Sequence, residues 1–115
     1  MRARLVVTGV AAAGFVGGLV AALPAVAATP VFKGTVGPGF TIKMATKPTK
    51  PGTIKLVVSD KASIHNFHLV GPGVNVKTDV GGTGTKTFVI TLKKGTYNFF
   101  CDPHKSTMHG KFTIS

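Results

Sequence analysis

Tyr97-Asn98-Phe99-Phe100-Cys101-Asp102-Pro103-His104-Lys105-Ser106-Thr107-Met108-His109 decides how this chain reads. An aromatic, apolar run ends at the only Cys of the sequence. Pro103 cannot donate to a strand ladder, so the extended run stops there. A polar stretch then leads through Met108 into Gly110-Lys111-Phe112-Thr113-Ile114, where apolar and polar residues alternate again. The pattern predicts two strands joined by a short loop that carries a thiol, a thioether and imidazoles.

Working outward, no window shows apolar residues sustained at i, i+3, i+4, i+7. Short windows rich in Val, Ile, Phe and Thr lie instead between Gly, Pro and Asp residues. They fall at Val31–Val36, Phe40–Ala45, Thr53–Ser59, Ile64–Val70, Lys86–Leu92, Thr96–Cys101 and Gly110–Ile114. Gly37-Pro38-Gly39, Lys47-Pro48-Thr49-Lys50-Pro51-Gly52, Gly71-Pro72-Gly73 and Gly81-Gly82-Thr83-Gly84 punctuate them as turns. Alternation predicts Phe40, Ile42 and Met44 on one face, and likewise Phe88, Ile90 and Leu92. About seven to eight strands at this spacing predict an all-β, two-sheet sandwich of Greek-key type.

The 115 residues allow one domain. Hydrophobic residues make up 43%, too many for a chain that stays disordered. A single Cys excludes a disulfide framework and a multi-Cys zinc or iron–sulfur site within the chain. Three acids, Asp60, Asp79 and Asp102, make paired-carboxylate catalysis a poor fit. Arg2 and Arg4, the uncharged stretch Leu5 to Leu23 and Pro24-Ala25-Val26-Ala27-Ala28 read as an export signal over residues 1–28. An uncleaved membrane anchor is the alternative, since the apolar run is about long enough to cross a bilayer. Cleavage leaves a domain over residues 29–115 and lowers the formal charge from +11 to about +9. Export implies a periplasmic, cell-envelope or secreted location, where a free thiol is a liability unless something occupies it.

Metal-competent side chains cluster in two places. One is His65-Asn66-Phe67-His68, within a predicted strand; the other is Cys101 through His109. A thiolate, imidazoles and a thioether suit copper better than magnesium or calcium. Two His and one Cys with a weak axial Met is the donor set of blue-copper centres. Each residue also has a plainer reading. Cys101 can be a buried small hydrophobe, His104 an exposed loop residue, Met108 a core filler and His65 a core histidine. Strand alternation places His65 and Phe67 on one face and Asn66 and His68 on the other, which makes His68 a surface residue. His109 competes with Met108 for the axial position.

Over His65-Asn66 and over Tyr97-Asn98-Phe99-Phe100-Cys101-Asp102-Pro103-His104 through Met108-His109-Gly110-Lys111, the chain resembles the cupredoxins, most closely their plastocyanin, pseudoazurin and amicyanin branch. The resemblance implies a cupredoxin-like sandwich holding one copper ion through His65, Cys101, His104 and Met108. It implies that Asn66 ties the segment bearing the first ligand to the Cys loop. Plastocyanin-like loops read Cys-x2-His-x4-Met and amicyanin-like loops Cys-x2-His-x2-Met; this one, Cys-x2-His-x3-Met, lies between them.

These expectations converge on an exported, non-enzymatic, one-electron carrier, with copper storage or delivery as the alternative. Four ligands leave no open position for a substrate. The positive charge predicts a monomer that meets acidic redox proteins or an anionic envelope surface rather than nucleic acid. Membrane contact follows only if residues 1–28 stay attached.

Overall fold

Alternation along single strands accounts for the architecture. In Gly52–Asp60 (β3), Ile54, Leu56, Val58 and Asp60 turn inward while Thr53 and Lys55 face water. In the computed structural model, which describes residues 27–115, this strand lies in a sheet with Val31–Val36 (β1), Ile42–Met44 (β2) and Gly84–Leu92 (β6). The order is β2-β1-β3-β6, with β1 parallel to β3 and the other pairs antiparallel. The second sheet comprises His68–Gly71 (β4), Val74–Lys77 (β5), Gly95–Phe100 (β7) and His109–Ile114 (β8), in the order β5-β4-β7-β8. All of its pairs are antiparallel. The chain crosses between sheets after β3, after β5 and after β6, so the eight strands form the expected sandwich. The export signal read over residues 1–28 lies almost wholly outside the described residues.

The two inner faces meet in one core that includes Leu56, Val58, Phe67, Leu69, Leu92, Tyr97, Phe99, Met108 and Ile114. Burial of each large apolar side chain stabilises the fold by roughly 1.5–3 kcal/mol. Phe67 and Phe99 stack with ring centroids 5.4 Å apart and planes 5° from parallel. Their outer faces rest on glycines. A Cβ on Gly34 of β1 would lie 2.7 Å from the Phe67 ring, and one on Gly110 of β8 would collide with the Phe99 ring. Glycine is required at both positions because the ring occupies the side-chain volume. Tyr97 is fully buried. Its hydroxyl donates to the Pro72 carbonyl at 2.7 Å and accepts from the Lys93 N–H at 2.9 Å, pinning two turns to β7.

Three local readings change. Val74–Lys77 forms an edge strand that pairs with β4 through the Pro72-Gly73 turn, where Gly73 adopts φ 70°. The sequence reading placed a turn at Gly71-Pro72-Gly73 and assigned no strand to 74–77. Phe40 and Thr41 lie outside β2, and Phe40 is 61% exposed. Residues 64–67 form no strand. The His65 N–H turns back to the Ala62 carbonyl, the Asn66 N–H faces the Cys101 sulfur and the Phe67 N–H is taken by Thr78 Oγ1. With those donors committed elsewhere, no ladder forms before His68.

Candidate metal centre

The loop between β7 and β8 is closed at its base, where the Cys101 N–H donates to the Met108 carbonyl at 3.0 Å. Asp102–His104 forms one turn of 3-10 helix, with Pro103 supplying its fixed φ near the start. The His104 N–H donates to the Cys101 carbonyl, and the Met108 N–H returns to the His104 carbonyl at 2.8 Å. These bonds fold the side chains of Cys101 and His104 toward one point. His65 reaches the same point from the irregular segment before β4.

The three donor atoms form a small triangle. His65 Nδ1 and His104 Nδ1 lie 3.1 Å apart, and the Cys101 Sγ lies 3.7 Å from the first and 3.6 Å from the second. The circumradius of a triangle with those sides is about 2.0 Å, close to a metal–imidazole bond of about 2.0–2.1 Å and slightly short of a metal–thiolate bond of about 2.3 Å. The residues present therefore fit one first-row metal ion with little movement. One thiolate and two imidazoles on a triangle, beside a thioether, is a donor set that suits copper.

The sequence singled out four ligands. The structure brings the donor atoms of His65, Cys101 and His104 within 4.8 Å of one another, with the first two buried and His104 half-buried. Met108 lies fully buried in the core cluster that also contains Cys101. His109 begins β8 opposite Phe100, and its exposed side chain lines a shallow surface depression with Asn98 and Lys105. Buried Met108, not His109, is thus on the side of the core. His68 also lies away from the triangle, yet it is no free surface residue: Nδ1 is 2.9 Å from Asp102 Oδ1 and Nε2 is 2.7 Å from Asn75 Oδ1.

Asn66 makes the tie that the resemblance implied. Its side-chain N–H donates to Asp102 Oδ2 at 2.8 Å and to the Thr78 carbonyl at 3.1 Å, while its Oδ1 accepts the Asp102 N–H at 2.8 Å. Its backbone N–H points at the Cys101 sulfur at 3.5 Å and stabilises negative charge there. Burial pushes the Asp102 carboxyl up, but bonds from His68 and Asn66 and the nearby charges of His68 and Lys77 outweigh it. The group therefore ionises below the usual carboxylate range. Asp60 is the opposite case: burial raises it above that range, against the lowering by the Ala62 N–H and His65.

The sequence reading missed Phe40. Its ring sits edge-on to both imidazoles, with centroids 5.1 Å from His65 and 4.9 Å from His104. It gives the half-buried His104 an apolar neighbour.

Among the described residues, no helix is long and apolar enough to cross a membrane. The family model described as a cupredoxin-like domain matches residues 50–114, which span β3 to β8 and every residue of the triangle. No curated protein matched the sequence. Similar solved structures include reduced rusticyanin, at 22% identity and TM-score 0.57, covering 79% of this chain and 82% of that one. Auracyanin A, described as a "blue" copper protein from the green thermophilic photosynthetic bacterium Chloroflexus aurantiacus, is 16% identical with TM-score 0.54, covering 76% and 100%. A Cu(I) amicyanin variant is 17% identical with TM-score 0.54, covering 74% and 82%. These identities speak to the fold, while the family match extends over more than half of the sequence. Sandwich, closed loop and sequence match agree, and the chain belongs to the family of cupredoxin-like domains.

Proposed function

We propose that the protein is an exported, mononuclear type 1 copper protein that carries single electrons outside the cytoplasm, with residues 1–28 as its export signal and 29–115 as its working domain. The observation that carries this reading is the triangle of His65 Nδ1, His104 Nδ1 and Cys101 Sγ, whose size suits one metal ion. Met108, buried beside Cys101, would be the fourth residue to hold the ion in this reading. A bound copper ion supplies Cu(II)/Cu(I) one-electron chemistry.

The chain's own residues supply the rest. The Asn66 N–H holds charge on the thiolate, and the bond that closes the loop keeps Cys101 and His104 in place whichever charge the site carries. Phe40 keeps water from the ring edges of His65 and His104. His104 is the least buried of the three, so its ring would be the route for electrons, and a partner would dock over exposed Phe40 and Ile64. The burial of Cys101 favours carriage over copper storage or delivery, because handing the ion to another protein needs an accessible thiolate.

The test is spectroscopic. Copper(II) added to the purified protein should give an intense visible thiolate-to-copper band and the narrow copper hyperfine splitting of a thiolate site. Cys101→Ser should lose both. A visible spectrum that survives the substitution sinks the assignment.

A further inference from the structure

His68, like His109, is a histidine of the second sheet that the proposed copper site does not use, but it is not idle. A carboxylate only accepts hydrogen bonds, so the 2.9 Å contact to Asp102 Oδ1 requires a proton on His68 Nδ1. The opposite nitrogen lies 2.7 Å from Asn75 Oδ1 on β5. The ring also packs against Phe100, with centroids 4.8 Å apart. Three contacts fix its orientation, and its side chain retains 15% of its exposure.

What His68 holds matters more than how it is held. The Asp102 carboxylate uses Oδ1 for His68 and Oδ2 for the Asn66 amide, and its own N–H returns to Asn66 Oδ1. Asn66 continues to the Thr78 carbonyl, just beyond β5. The result is a chain of bonds from Asn75 through His68, Asp102 and Asn66 to Thr78, anchored on β5 at one end and just past it at the other. Asp102 follows the thiol ligand in sequence, and Asn66 follows the first imidazole ligand.

We infer that His68 is a positioning residue for the metal centre: by holding the Asp102 carboxylate against Asn66, it fixes the separation between the Cys101 loop and the His65 segment. This rests on the copper reading for its purpose and on the bond chain for its geometry. Without His68, Asp102 Oδ1 loses its partner and the carboxylate is free to turn away from Asn66. The tie then depends on the Asp102 N–H alone, and the loop opens more often at its Cys end. The triangle loosens although none of its three donors has been touched.

The two parts are tested separately. In the metal-free full-length protein, His68→Phe keeps a ring against Phe100 and removes the donors. Amide hydrogen exchange followed residue by residue should be about tenfold faster at Asp102, with Leu56 and Val58 of β3 unchanged. His68→Gln, whose amide can still donate, should recover part of that protection. Unchanged exchange at Asp102 overturns the proposal, as does an acceleration shared equally by β3, which marks general destabilisation. Asn75→Ala, which removes only the outer contact, is read by the same criteria should His68→Phe fail to fold. With copper added, His68→Phe should also displace the thiolate band and the reduction potential, and an unmoved band and potential overturn the positioning role. If the unsubstituted protein gives no thiolate band, the copper reading falls and the exchange result stands by itself.

Discussion

Asp60 is buried in a protein with few acids, and its Oδ1 accepts the Ala62 N–H while Oδ2 has no partner among the described residues. Burial raises its pKa, so the fold favours the protonated form. The stability this contributes is complete below the ordinary carboxylate value of about 3.9 and is lost as pH rises through the folded value. Asp60→Asn keeps the acceptor for Ala62 and removes the charge. The metal-free variant should therefore be more stable than the parent at neutral pH, with the difference shrinking at pH 3. Denaturant midpoints at the two pH values measure it; a gap that does not depend on pH would mean that ionisation is not the cause. Cys101 and His104 were legible at the same scale because two residues separate them and their spacing survives any fold. Phe40 was not, because its role arises only when a turn far away in sequence lays it over the two imidazoles.

Among elements, the core strands declared themselves by alternation, and β3, β6, β7 and β8 fall within a few residues of the expected windows. β5 escaped because four residues of alternating exposure on a sheet edge carry too little apolar signal to stand out. Residues 64–67 misled for another reason: their composition suits a strand, but side chains and sulfur claim their N–H groups. That loss of ladder is what lets His65 and Asn66 both turn inward, which strict alternation forbids. The glycine seats are the sharpest constraint at this scale. Gly34→Val would push β1 off the Phe67 ring and disturb the stack that joins the sheets. The expected cost is about 1–3 kcal/mol or more, read as a lowered melting temperature. An unchanged melt would mean that β1 yields freely.

For the molecule as a whole, charge is the dominant feature. Fourteen Lys and Arg face three acids, and Asp102 of those three is already held by His68 and Asn66. Lys105 stands in the ligand loop with its ammonium 4.4 Å from the centre of the Phe100 ring. A protein of this charge should associate faster with an acidic partner than with a neutral one. The second-order rate of electron exchange with an acidic redox protein should fall several-fold between about 0.01 M and 0.15 M salt, as the screening length drops from about 30 Å to about 8 Å. A salt-independent rate would remove electrostatic steering from the account.

The closed loop also bears on chemical durability. Cys101 has no exposed surface, and its sulfur is shut behind His65, His104 and the Asn66 N–H. A disulfide requires two Cα atoms to approach within about 7 Å, which a second chain cannot achieve while the loop is shut. Oxidation of the thiol and covalent dimerisation are therefore slowed by the small fraction of time the loop is open. The bonds that arrange the ligands thus also protect the metal-free protein, giving the chain time to meet its metal before its single sulfur is spent.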